Sequence, residues 1–259
     1  MSTVELIALG HEPAANCGPR CLAGREQASA RAAAARGFLI QLVACEAQLA
    51  QRSAGWLQEL GPRLSPTMAE ACERLAWDSK KLCEELVVLT YRLVGRWNWR
   101  DRGRHLDVVA LLEQPPCRSV AELIELHESY LRSETPWLEL AALRPIEQML
   151  AAMVPLAIDL AGLCEGPADA VAETEVGASE LEHPELSDAA RLFGARSQRA
   201  DQLERMLAEL AGADPERSAI VRAAEEQATA TFTKVLAECA HIGRELGSRD
   251  VRHRHRFAR

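Results

Sequence analysis

The chain has 259 residues, 48% of them hydrophobic, which is enough for one large helical bundle or two smaller units. Only 4% are aromatic and β-branched residues are sparse, so an extensive sheet is excluded, while Ala, Leu, Glu and Arg dominate as they do in helices. The formal net charge of −8 weighs against a nucleic-acid binder held by overall charge.

Residues 1–27 carry Gly10, Pro13, Gly18, Pro19 and Gly24 without periodicity and are expected to form a flexible N-terminal arm. The start is too short and too acidic for a secretory signal. Helical patterning then begins, with Phe38, Leu42, Cys45, Leu49 and Trp56 on one face. Ser65-Pro66 supplies a cap followed by a first-turn proline, and opens a second helix. Along it Met68, Cys72, Leu75, Ser79, Leu82, Leu86, Leu89 and Leu93 alternate by four and three, a coiled-coil-like seam.

The cluster Arg96-Trp-Asn-Trp-Arg-Asp-Arg-Gly-Arg104 interrupts or decorates the end of this helix. A short helix is expected from Leu106 to Glu113, and the capping box Ser119-Val-Ala-Glu122 marks the next start. Its stripe is Val120, Ile124, His127 and Leu131. After Thr135-Pro136 and Pro145, the residues Ile146, Met149, Met153, Leu156, Leu160 and Leu163 form another seam, in which Pro155 predicts a kink. The segment 151–163 is the most apolar, but no run of about 18 apolar residues occurs, so it is expected to be a bundle helix.

Between Cys164 and Ala190 stand eight acidic residues, Glu185 and Asp188 among them, and no Lys or Arg. This predicts a solvated acidic linker over 164–186. A helix from about Ser187 to Leu210 follows, and Asp214-Pro215-Glu216 starts the last one, which carries Ala228, Phe232, Val235, Cys239, Ile242 and Leu246 to Gly247. Residues 248–259 read as a basic tail. The expected fold is all-α: long amphipathic helices in a bundle or coiled-coil-like arrangement, with a helical domain over 28–163 and a C-terminal hairpin over 187–247.

Eight cysteines are present, yet no pair of CxxC elements accompanies them, which excludes zinc-ribbon patterns. Cys45, Cys72, Cys83 and Cys239 fall on apolar helical positions and read as small buried hydrophobes, reduced in a cytoplasm. Cys17 and Cys21 are close together but lack companion ligands. Glu238-Cys-Ala-His241 is one Glu-x-x-His pair of the kind used in di-iron bundles, and the second is missing. Phosphate loops, GxSxG and HExxH motifs are absent. No catalytic, cofactor-binding or metal-binding residue is therefore assigned, and the chain is not expected to be an enzyme.

Residues 37–163 resemble the phasins, the proteins that coat polyester storage granules. The resemblance rests on a long Ala- and Leu-rich helix, a link and a capped helix, most of all on Leu106-Asp-Val-Val-Ala-Leu-Leu-Glu-Gln-Pro-Pro-Cys-Arg-Ser-Val-Ala-Glu-Leu. Residues 186–212, with Gln198-Arg-Ala-Asp-Gln-Leu-Glu-Arg, are faintly similar to a helix of ferritin-like stress proteins, without their ligands. The phasin resemblance implies a cytoplasmic, non-catalytic protein that lays amphipathic helices on an apolar polyhydroxyalkanoate granule or on partner helices, as a homo-oligomer. The candidate surface-binding residues are Leu82, Leu86, Leu89, Leu93, Trp97, Trp99, Arg100 and Arg104. A coiled-coil scaffold is the first alternative, followed by a nucleic-acid-associated protein using the Trp-Arg cluster and tail, and a ferritin-like metal protein.

Overall fold

The computed structural model of the chain describes residues 20–100, 105–114, 117–162, 184–212 and 214–257. Among these residues there is no strand, and the fold is all-α. The helices are α1 (Arg20–Leu60), α2 (Pro66–Arg100), α3 (Val108–Glu113), α4 (Arg118–Leu131), α5 (Leu138–Gly162), α6 (Pro184–Gly194), α7 (Arg196–Ala211) and α8 (Pro215–Phe257), with one 3₁₀ turn at Gly61–Arg63. The proposed arm up to residue 19 and residues 163–183 of the acidic segment lie outside the described part.

Helix α1 is the axis of the molecule. Between residues 32 and 50 it is buried all round except at Arg36 and Gln48, as expected of a helix enclosed by neighbours rather than laid on a surface. It packs against α2, α5 and α8, and more lightly against α3 and α4. Its small residues set how near those neighbours come. A Cβ added at Gly243 would lie 2.5 Å from the backbone N of Phe38, and one at Gly247 would lie 2.7 Å from the N of Ala34. Only glycine on α8 permits this backbone-to-backbone contact with Ala34, Gly37 and Phe38 of α1.

Several helix starts follow from local chemistry. Ser65 caps α2 by accepting from Met68 N, and Asp214 caps α8 by accepting from Glu216 N at 2.9 Å. Asp107 does the same for α3 through Val109 N. Phe38, Leu42, Cys45, Leu49 and Trp56 are all buried, as the spacing predicts.

Other boundaries differ from expectation. Helix α1 already includes Arg20, inside the stretch expected to be a flexible arm, and runs through Gly24 without a break. The capping box at Ser119 is not used: α4 starts two residues earlier, with Cys117 in extended conformation as its N-cap. Glu122 pairs instead with Lys234 of α8 at 3.3 Å. Helix α5 begins at Leu138 and carries both Pro145 and Pro155 inside it. The helix expected from 187 to 210 is two helices, broken at Gly194-Ala195, and α8 continues past Gly247 to Phe257.

The hairpin set apart in the sequence is built into the same core. Helix α7 packs chiefly on α5, and α8 lies on α1, α5 and α4. Helix α6 docks on α2 through ion pairs, so Glu185, inside the expected linker, is not a linker residue. Glu185 is buried and pairs with Arg96 at 2.9 Å, Asp188 pairs with Arg92, and Arg191 reaches Glu85 at 3.1 Å. By length and composition α5 is apolar enough to cross a membrane (mean hydropathy 1.3), but 56% of that stretch is buried inside the bundle.

Candidate functional site

The predicted surface-binding residues divide between the inside and the outside of α2. Leu86, Leu89, Leu93 and Trp97 are buried in the core, and Leu82 is half-buried against it. This seam is spent on α2's own packing. Trp99 is 81% exposed; Arg100 ends the helix, and Arg104 lies outside the described residues. On the opposite face stand Trp77 (69% exposed), Val88, Tyr91 and Trp99. At 100° per residue these four share a sector of about 80°, and at 1.5 Å per residue they span about 33 Å. The sequence reading followed the continuous four-three seam and so named only Trp99 of this sparser stripe, passing over Trp77, Val88 and Tyr91.

At the heart of the bundle is a polar centre that the sequence did not announce. Arg196, the first residue of α7, is buried and donates through Nη2 to Glu46 Oε2 of α1 (2.7 Å) and through Nη1 to Glu147 Oε2 of α5 (2.9 Å). Arg199, one turn on, donates to Glu147 Oε1 at 3.0 Å and to Ser79 Oγ at 2.8 Å. Burial pushes the Glu46 carboxyl up to about 7, against the pull of Arg196. Burial also presses on Glu147, but the guanidiniums of Arg196 and Arg199 outweigh it and hold that carboxyl below its ordinary value.

Nearby, His127 Nδ1 meets both Glu139 oxygens at 2.8 and 2.9 Å, and its ring stacks on Trp56 with centroids 4.6 Å apart. Burial raises the Glu139 carboxyl above its ordinary value. Glu46, His127, Arg196 and Arg199 line a cavity of about 20 Å³, room for roughly one water. Glu46 Oε1, His127 Nε2 and Arg196 Nε have no protein partner. Trp56 separates this cavity from a cleft of about 650 Å³ lined by Arg52, Glu128 and Arg132. The charged groups of the centre hold one another, an arrangement that fastens α7 to α1, α2 and α5.

A third cluster lies where α1, α4 and α8 meet. Cys45 Sγ is 3.6 Å from Cys117 Sγ and 3.7 Å from Cys239 Sγ, and all three sulfurs lie within 4.8 Å of one another. All three residues are buried. Hydrogen bonds from the Cys239 and Cys45 thiols, helped by the N–H of Val120, favour a thiolate at Cys117 and bring it down to about 4 in spite of burial. Burial pushes Cys45 the other way. Glu238, beside Cys117, accepts from Ser119 N at 3.1 Å. His241, its partner in the Glu-x-x-His pair, points elsewhere, is exposed and pairs with Glu245 at 3.5 Å. Cys45 and Cys239 are where apolar spacing puts them, but their meeting with Cys117 spans sequence separations of 72 and 194 residues and left no local signal.

Compared with models of protein families, with curated proteins and with solved structures, the chain matches none. Function must therefore be argued from the geometry.

Proposed function

We propose that the chain is a non-catalytic helical surface-binding protein, resembling phasins, that adsorbs on apolar polyester granules in the cell. The observation that carries this reading is the outer stripe of α2, where Trp77, Val88, Tyr91 and Trp99 face solvent along one side of a long helix. Large apolar side chains fully removed from water contribute about 1.5–3 kcal/mol each, so four in a row give useful adhesion without a pocket. Trp and Tyr suit a boundary that is apolar on one side and wet on the other. Lys81 and Glu84 stand on the same side of the helix and keep the stripe soluble when it is free.

The inner seam remains packed in this mode, so the bundle adsorbs whole. Localisation of a fluorescent fusion in cells grown with excess carbon, beside adsorption of the purified chain to polyhydroxyalkanoate particles, tests the reading. Signal should ring the granules, and Trp77→Ser with Trp99→Ser should reduce adsorption severalfold while leaving the helical circular dichroism intact. Diffuse signal together with adsorption unchanged in the double variant sinks it and favours the scaffold reading.

A further inference from the structure

We propose that Cys45, Cys117 and Cys239 form a closed binding site for a thiophilic d¹⁰ cation, zinc(II) or copper(I). Three helices distant in sequence each deliver one sulfur to one point: α1 through Cys45, the N-cap of α4 through Cys117, and α8 through Cys239. Two thiolates held at 2.3 Å on one tetrahedral ion stand about 3.8 Å apart. The observed 3.6 and 3.7 Å are already close to that spacing, so an ion requires only small side-chain adjustments.

The chemistry of the donors selects the ion. Magnesium and calcium need shells of oxygen, and the three donors here are sulfur. The positive end of α4, at which Cys117 sits, offsets part of the charge that three thiolates bring. Binding replaces the remaining thiol protons, which leave to solvent. Glu238, whose carboxylate accepts from the N–H of Ser119 beside Cys117, stands outside the three-sulfur group and becomes a fourth ligand only if its side chain swings toward the ion. With Glu238 the set is three sulfurs and an oxygen, suited to zinc(II); without it, three sulfurs suit copper(I).

A disulfide is the rival use of the same residues. It would join two sulfurs and leave the third idle, whereas all three converge. Burial on every side also removes the cluster from solvent oxidants. Closed in this way, the site would act structurally, tying the first and last long helices to the start of α4.

The full chain, purified in reductant with a tag free of His and Cys, should carry close to one ion per chain by mass spectrometry of the elements. After stripping with a chelator it should take up zinc(II) or copper(I) again, and cobalt(II) in place of zinc should give the intense sulfur-to-metal charge-transfer absorption of thiolate ligation. Cys117→Ser should abolish uptake. Serine is a favoured N-cap, so this variant keeps the start of α4, and unchanged circular dichroism will show it. Loss of affinity in Glu238→Gln supports the site with zinc(II), and affinity retained there but lost in Cys117→Ser supports it with copper(I). If the reduced, stripped and fully helical wild type takes up neither ion, or the chain leaves cells with Cys45 and Cys117 in a disulfide, the proposal is overturned.

Discussion

Helix α1 is held in two different ways along its length. Toward its N-terminal half, Ala34, Gly37 and Phe38 meet Gly243 and Gly247 of α8 with almost nothing between the backbones. Eight residues beyond Phe38, Glu46 reaches the Arg196 guanidinium away from bulk solvent. The first contact depends on shape and tolerates no added atom. The second depends on charge and tolerates no missing partner, because an uncompensated buried ion costs more than a matched pair contributes.

Removing a partner from the charged region is the largest test of this contrast. Glu147→Ala leaves Arg199 with no carboxylate and Arg196 with only Glu46, and should destabilise the bundle by about 3–5 kcal/mol in denaturant unfolding. A loss below about 1 kcal/mol would mean that water enters freely and that the centre is not sealed.

Adding one carbon to the shape-dependent region comes next. Gly243→Ala should cost about 1–3 kcal/mol, since its methyl would collide with the backbone of α1. Gly55, on the same helix α1, has nothing within 4 Å of an added Cβ, so Gly55→Ala should instead stabilise by about 0.5–1 kcal/mol. Equal signs for the two would break the comparison.

The two regions should also respond differently to pH. Glu139 has a raised carboxyl in the folded chain, so the folded state keeps a proton that the unfolded state has released. Its contribution to stability therefore falls as pH rises above the ordinary value of 4.5, by at most about 1.4 kcal/mol per pH unit. Glu147, with a lowered carboxyl, does the reverse: it stabilises above its ordinary value, and that contribution is lost on acidification. Stability of Glu139→Gln relative to wild type, followed by thermal unfolding from acid to neutral pH, should rise across that window. Gly243→Ala should shift stability by the same amount at each pH.

How far the sequence could be read follows the same division. Caps such as Ser65 and Asp214 act within three residues, and the α2 seam repeats locally, so both were legible. Glu185 looked like a linker residue because its arginine partner, Arg96, stands on α2, about 90 residues away. Ser119 and Glu122 have the spacing of a capping box, but Glu238 and Lys234 of α8 claim the groups that would have closed it. The thiol cluster and the polar centre are both products of distant helices meeting, and composition carries no trace of such meetings. Trp77, Val88 and Tyr91 of the outer stripe of α2 were missed for another reason: they are too sparse to register as a repeat, and only Trp99 was named, for its place in the Trp-Arg cluster.

The enclosure of α1 has a consequence for how the chain comes into being. Its buried and mostly apolar surface is covered on one side by α2, but the glycines that complete the cover lie near residue 243. At 5–20 residues per second, synthesis leaves Gly37 waiting about 10–40 s for Gly243 to be made. During that interval α1 exposes a bare Ala- and Leu-lined flank, which makes the nascent chain a client for holding chaperones. Completion of the fold is set by the arrival of its last long helix.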